Sequence, residues 1–215
     1  MKIGVIDYGM GNLFSVEQAI KRLGCEVLIS SDQKSLLTCD ALILPGVGAF
    51  EDAMKKLNDT GLVTFIDKIV AVNKPLLGIC LGMQLLFEES EENGYWKGLG
   101  IFKGVVKQFS GKDLSGKSYR VPHMGWNDLI FAKSPTWLEQ LPTDNFVYFV
   151  HSYLATDMDE ENLIAYAEYG DMKVPGIVQK GNVTGMQFHP EKSGECGVYL
   201  LQQWLRAVAK GVAVS

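Results

Sequence analysis

The apolar positions of this 215-residue chain fall into two patterns: short unbroken runs, and longer stretches in which they recur three and four residues apart. Unbroken runs bounded by turn residues read as strands buried on both faces, and spaced stretches read as helices with one apolar side. On that basis Lys2–Asp7, Glu26–Ser30, Ala41–Pro45 and Pro75–Ile79 are expected strands, with helices near Asn12–Leu23, across Phe50–Asn73 and over Met83–Glu88. Strand and helix alternate, which predicts a parallel sheet covered by helices. Beyond residue 100 the runs shorten to Phe102–Phe109, Phe146–His151, and Gly176–Gln179 turned across Lys180-Gly181-Asn182 onto Val183–His189, before a last helix over about Glu195–Ala209. The expected fold class is α/β, a mixed, largely parallel central sheet flanked by helices in a flavodoxin-like arrangement. A single domain over residues 1–210 with a short C-terminal tail over 211–215 suits a chain of this length. The acidic run Glu88-Glu89-Ser90-Glu91-Glu92 is expected to be a solvated helix end.

Candidate chemistry gathers where one of these runs stops. In Gly78-Ile79-Cys80-Leu81-Gly82 a cysteine follows an expected strand and precedes an expected helix, with a glycine two positions away on each side. That pattern is a nucleophile elbow: a sharp strand-to-helix turn holds the nucleophile at its tip, and the glycines remove side chains that would clash with the tight backbone. A cysteine attacks as thiolate, so it needs a neighbouring imidazole. The chain offers His123, His151 and His189. Only His189 has a carboxylate close behind it, in His189-Pro190-Glu191, where the proline stiffens the turn and Glu191 can orient the ring. Cys80, His189 and Glu191 therefore form the candidate catalytic triad. The run Ala41–Pro45 ends in Gly46-Val47-Gly48, a turn whose backbone amides at Val47 and Gly48, together with that of Leu81, are candidates for an oxyanion hole.

Composition narrows the classes of partner. With 20 basic and 25 acidic residues the net charge is −5, which gives no sequence-wide case for nucleic acid. No run of eighteen apolar residues occurs, and an acid at Asp7 comes too early for a signal peptide, so a soluble, cytoplasmic protein without membrane contact is expected. Cys25, Cys39 and Cys196 lie apart from Cys80 and from one another without metal spacing, and in a reducing compartment they read as free thiols. No metal site and no cofactor is implied.

One competing motif is complete. Gly111-Lys112-Asp113-Leu114-Ser115-Gly116-Lys117-Ser118 matches the phosphate-binding pattern G-x-x-x-x-G-K-[ST] at every fixed position. Such a loop must open a helix. Here it runs into Tyr119-Arg120-Val121-Pro122, which is strand-like, so the segment is expected to be an exposed loop joining two antiparallel strands. Gly9-Met10-Gly11 lacks the third glycine of a dinucleotide loop because Phe14 stands there.

The series Leu44-Pro45-Gly46-Val47-Gly48, Gly78-Ile79-Cys80-Leu81-Gly82-Met83-Gln84, Val150-His151-Ser152-Tyr153 and Gly185-Met186-Gln187-Phe188-His189-Pro190-Glu191-Lys192-Ser193 resembles class I (triad) glutamine amidotransferases. Ile6-Asp7-Tyr8-Gly9-Met10-Gly11-Asn12-Leu13 and Val121-Pro122-His123-Met124-Gly125-Trp126-Asn127 are similar to the glutaminase subunits of histidine biosynthesis within that family. The resemblance covers Lys2 to about Leu205. It implies hydrolysis of glutamine to glutamate and ammonia, with Gln84 and the backbone of Ser152 and Tyr153 as substrate contacts. It further implies delivery of the ammonia to a (β/α)8-barrel cyclase subunit in a heterodimer, across a face that includes Asn12, Trp126, Tyr148 and Lys192. A glutaminase of the anthranilate or vitamin B6 pathways, a P-loop nucleotide-binding protein and an idle interaction subunit stay open as alternatives.

Overall fold

In the computed structural model, which describes residues 1–140 and 144–211, the first half of the chain follows the alternation of its apolar runs. Strand β1 (Lys2–Ile6), helix α1 (Leu13–Arg22), β2 (Glu26–Ser30), α2 (Gln33–Leu37), β3 (Ala41–Gly46), α3 (Phe50–Asp59), α4 (Leu62–Ala71) and β4 (Leu76–Cys80) come in order. A one-turn α5 (Leu81–Gln84) leads into β5 (Phe87–Ser90), β6 (Trp96–Lys97), β7 (Phe102–Gln108), β8 (His123–Asp128), β9 (Ile130–Phe131), β10 (Phe146–His151) and β11 (Tyr153–Thr156). The chain then builds β12 (Leu163–Tyr169), β13 (Met172–Lys180), β14 (Val183–Met186) and α6 (Gly194–Ala209).

Eight strands form the central sheet in the order β2-β1-β3-β4-β14-β13-β12-β9. Its ladders from β2 to β14 are parallel, and those from β14 to β9 antiparallel. This is the mixed, largely parallel sheet expected. Both β3 and β4 are buried along their whole length, because side chains alternate across the sheet into two separate cores. Ala41, Ile43, Leu77 and Ile79 pack with Val16 and Ile20 of α1 and Leu200, Leu201 and Trp204 of α6. Leu42, Leu44 and Leu76 face the other way, onto Phe50 and Leu57 of α3 and Phe65, Ile66 and Ile69 of α4.

The second half departs from a single sheet. A four-stranded sheet β11-β7-β5-β6 and a two-stranded ribbon β10-β8 stand apart from the central one. The helix expected over Met83–Glu88 stops after one turn, since Leu85, Leu86 and Phe87 are all fully buried and Phe87 already pairs with Phe102 in the smaller sheet. The acidic run is therefore a strand and its exit, not a helix end; Glu92 turns back to accept a hydrogen bond from the Phe50 amide at 2.8 Å and so caps α3. The strand expected over Gly176–Gln179 is longer and passes through Pro175. Helix α6 ends at Ala209; of the expected tail, Gly211 is described and residues 212–215 lie outside the described residues.

Candidate active site

Cys80 sits at the junction of β4 and α5 with φ 54° and ψ −114°, a backbone conformation that disfavours any residue with a Cβ. The neighbouring glycines explain how the turn closes. A Cβ on Gly82 would lie 1.9 Å from the Leu44 carbonyl oxygen, and one on Gly78 would lie 2.7 Å from the Gly82 carbonyl oxygen. The turn is thus pressed backbone against backbone onto β3, and the thiol is pushed out at the carboxyl end of a central strand.

The adjacent strand β14 points at the same end of the sheet, and His189 follows it. Its backbone is fixed twice over: its amide donates to the Tyr148 carbonyl at 3.1 Å, and its carbonyl accepts from Ser193 Oγ at 2.7 Å. The ring Nδ1 lies 2.8 Å from Glu191 Oε1, with the two side chains only 5% and 1% exposed. Burial alone would push the imidazole down; hydrogen bonding to Cys80 and to Glu191 reverses this and raises His189 to about 9. Cys80, His189 and Glu191 are therefore brought together, with the ring between sulfur and carboxylate.

A cavity of about 430 Å³ opens beside them, lined by Val47, Gly48, Leu81, Gln84, Glu92, His151, Ser152, Tyr153 and Lys192 among others. The turn after β3 faces it with Gly48 at φ 102°, and Gly46 pairs with Cys80 in the sheet register. All the expected oxyanion and substrate-contact residues thus share one cleft. Gln84 is not a free surface amide: its Nε2 donates to the Tyr153 carbonyl and to Gln187 Oε1, each at 3.0 Å. Gln187 in turn donates to the Cys80 sulfur at 3.9 Å.

Sequence reasoning missed four participants. Gln187 links Gln84 to the Cys80 sulfur, and its only signal in the sequence is its place two residues before His189. Glu92 presents a carboxylate to the cleft although it reads as part of an acidic run. His151 Nδ1 meets the Tyr153 carbonyl at 2.7 Å, and His123 Nδ1 meets His151 Nε2 at 3.0 Å, so of the two histidines set aside as bases His151 lines the cleft and His123 stands behind it.

Trp126 and Tyr148 face each other across the β8–β10 ribbon with ring centroids 6.1 Å apart, and Trp126 also covers Gly194. Trp126 is 56% exposed. Lys192 borders both this patch and the cleft, and α1, capped by the Asn12 side chain, lies against the turn that carries Lys192. Of the four residues expected at a partner face, Trp126 and Tyr148 are thus in contact, Lys192 follows closely on the turn bonded to Tyr148, and Asn12 caps the helix that packs on that turn.

The phosphate-loop motif is used differently. Asp113 Oδ1 accepts from the Lys117 amide and the Ser115 hydroxyl, the Gly116 amide donates to the Asp113 carbonyl, and no helix follows. The segment is an exposed self-capped loop between β7 and β8. Its flanks do meet antiparallel, through the single bridge Lys112 to Ser118, while the longer strands on either side, β7 and β8, lie in different sheets and do not pair with each other. Among the described residues no group of three or more histidine, cysteine, aspartate or glutamate side chains is placed to hold a metal, and no helix is long and apolar enough to cross a membrane.

A parallel sheet with a strained cysteine at the end of one strand and a histidine–glutamate pair at the end of the next defines a triad amidotransferase architecture. Residues 4–207 match the glutamine amidotransferase class-I family, and the chain belongs to it. It is 53% identical over 203 residues to the imidazole glycerol phosphate synthase subunit HisH of Geobacillus kaustophilus, covering 94% of this chain and 95% of that one. To the HisH subunit of Bacillus subtilis it is 49% identical over 208 residues, 97% of both chains. Among solved structures, a glutamine amidotransferase aligns with TM-score 0.74 at 24% identity over 96% of this chain and 98% of that one. The glutaminase domain of Trypanosoma brucei CTPS with bound acivicin aligns at 0.63 and 19%, covering 98% and 94%. At those identities the likeness is one of fold.

Proposed function

We propose that this chain is the glutaminase subunit of an imidazole glycerol phosphate synthase, hydrolysing glutamine through Cys80, His189 and Glu191. The observation that carries the reading is the ring of His189 held between the Cys80 thiol and the buried Glu191 carboxylate. In this mechanism the thiolate attacks the carboxamide carbon, and backbone amides at Val47, Gly48 and Leu81 hold the oxyanion. The His189 imidazolium gives its proton to the departing ammonia. The resulting thioester is opened by water, deprotonated by the same ring, to release glutamate. Glu191 keeps the ring oriented and stabilises its charged form.

The cleft selects a free amino acid. Glu92 supplies a carboxylate for an α-ammonium group, and the Ser152–Tyr153 backbone with Gln84 supplies polar contacts for the rest of the amino-acid end. Ammonia in water is soon protonated and lost as a nucleophile, so it must pass directly to an acceptor. We assign the acceptor site to a (β/α)8-barrel cyclase subunit seated on the rim of Asn12, Trp126, Tyr148 and Lys192, forming a heterodimer in the cytoplasm.

The test is a glutaminase and synthase assay on the chain with its co-purifying partner. Cys80→Ser is expected to abolish glutamine-dependent synthesis and leave ammonia-dependent synthesis intact. Glutaminase activity surviving in the purified variant would overturn the assignment. Trp126→Ala should weaken association while leaving Cys80 alkylation by a small unselective reagent unchanged.

A further inference from the structure

A continuous hydrogen-bonded chain runs behind the cleft and touches all three sheets. It starts at the Glu168 carbonyl of β12, which accepts from Asn127 Nδ2 of β8 at 2.9 Å. The same amide nitrogen reaches His123 Nε2 at 3.1 Å, His123 Nδ1 reaches His151 Nε2 at 3.0 Å, and His151 Nδ1 reaches the Tyr153 carbonyl at 2.7 Å.

The direction of every bond is forced from its ends. A carbonyl only accepts, so His151 must carry its proton on Nδ1. Its Nε2 is then a lone pair, which requires His123 to carry its proton on Nδ1 as well. His123 Nε2 is then an acceptor, and one of the two Asn127 amide hydrogens fills it while the other goes to Glu168. Asn127 Oδ1 is occupied by the Asp128 amide at 2.8 Å, which fixes the amide's orientation. Both rings are locked in place. His123 stacks between Phe149 and Tyr169, at centroid distances of 4.6 and 4.1 Å, and both histidines are less than a tenth exposed. Burial keeps the pair neutral, pushing His123 down to about 4 and His151 to about 3, as a wire with no spare proton requires.

The far end of the wire lies at a corner between two ladders, where the Ser152 carbonyl also accepts from the Phe109 amide at 3.1 Å. Ser152 is the corner between β10 of the ribbon and β11 of the four-stranded sheet. The Tyr153 carbonyl beside it accepts from His151 and from Gln84, so the peptide that lines the cleft is held between two donors. We propose that His123, His151 and Asn127 form a tautomer-locked positioning relay that fixes the Ser152–Tyr153 corner and thereby sets the affinity for glutamine without entering the chemistry. The proposal rests on the glutaminase reading of the cleft.

Two measurements on the full chain with its co-purifying partner test it. Nitrogen-15 spectra of the imidazoles should show both His123 and His151 as neutral Nδ1–H tautomers, and an Nε2–H form of either ring would overturn the relay whatever the protein's activity. His123→Phe keeps an aromatic ring between Phe149 and Tyr169 but leaves the His151 lone pair without a donor. It should raise KM for glutamine about tenfold and change kcat less than about threefold. His123→Asn places an amide nitrogen near the lost Nδ1 and should restore KM to within about threefold of wild type. An unchanged KM in His123→Phe, or a fall in kcat as large as the rise in KM with no rescue by asparagine, would reduce the pair to core packing. If the wild type itself turns over no glutamine, the glutaminase reading fails first, and the relay's claim on affinity fails with it.

Discussion

Glu191 Oε1 meets His189 Nδ1 at 2.8 Å across a single intervening proline. The Lys192 amide closes the same turn onto the His189 carbonyl at 2.9 Å. The contact therefore belongs to one tight turn, and the ring's other nitrogen is left for the sulfur.

Removing the carboxylate should slow the reaction less than removing the ring. His189→Ala loses the proton carrier and should lower kcat by about 10³-fold or more, whereas Glu191→Gln keeps a less well held, less basic ring and should lose about 10- to 100-fold. Steady-state glutaminase kinetics decide it. Equal losses, or a larger loss in Glu191→Gln, would remove Glu191 from the triad.

The backbone strain at Cys80 reverses an ordinary preference. At most positions alanine is more stabilising than glycine by about 0.5–1 kcal/mol, but at φ 54° and ψ −114° a Cβ costs on the order of 1–3 kcal/mol. Cys80→Gly should therefore be more stable than Cys80→Ala by about 1 kcal/mol, as read by chemical denaturation. Alanine coming out the more stable would show that the turn stores no strain.

Gly82→Ala tests the backbone contact beneath the elbow. With the Leu44 carbonyl 1.9 Å from the added carbon and both partners in the middle of the fold, the substitution should destabilise by about 3 kcal/mol or more. Wild-type thermal stability in this variant would contradict the packing described.

Acid should weaken the fold through the two neutral histidines. Unfolded, His123 and His151 protonate near pH 6.5; folded, they resist until about 4 and about 3. Across that window the unfolded chain binds more protons, so stability is present above about pH 6.5 and is lost as pH falls, by up to about 1.4 kcal/mol per pH unit for each ring. The titratable neighbours are Tyr169 beside His123 and His189 beside His151. His123→Phe should flatten the dependence of unfolding free energy on pH between about 4.5 and 6 by close to one proton. An unchanged slope would mean that His123 is already charged in the fold.

Lys117→Ala should leave activity within about twofold and stability within about 0.5 kcal/mol of wild type, because Lys117 is exposed and the amides of Gly116 and Lys117 are taken by Asp113. Binding of ATP that this substitution removes would restore the phosphate-loop reading.

The parallel half of the fold and the elbow were legible in the sequence because each depends on near neighbours. The runs at Ala41–Pro45 and Pro75–Ile79 and the glycines around Cys80 act within a few residues of themselves. The smaller sheet and the ribbon were not legible, since β7 is partnered by strands on both sides of it in sequence and β8 is joined to β10 over a long connection. Met83–Glu88 failed as a helix because burial of Leu85, Leu86 and Phe87 in succession, not amphipathic spacing, decides that stretch. His123 and His151 could be ruled out as bases by their lack of a nearby acid, but nothing local told that they face each other; only the register His151 to His123 does.

The strands β3, β4 and β14 lie side by side in the sheet, and the Gly46-Val47-Gly48 turn, the sulfur and the imidazole leave them at the same end. Neighbouring strands are about 4.8 Å apart, so the whole apparatus stands on a platform roughly 10 Å wide. The spacing of hydrogen-bonded strands, not the reach of any side chain, thus sets how far apart the turn, the sulfur and the imidazole stand, and topology fixes it before any side chain of the cleft is chosen.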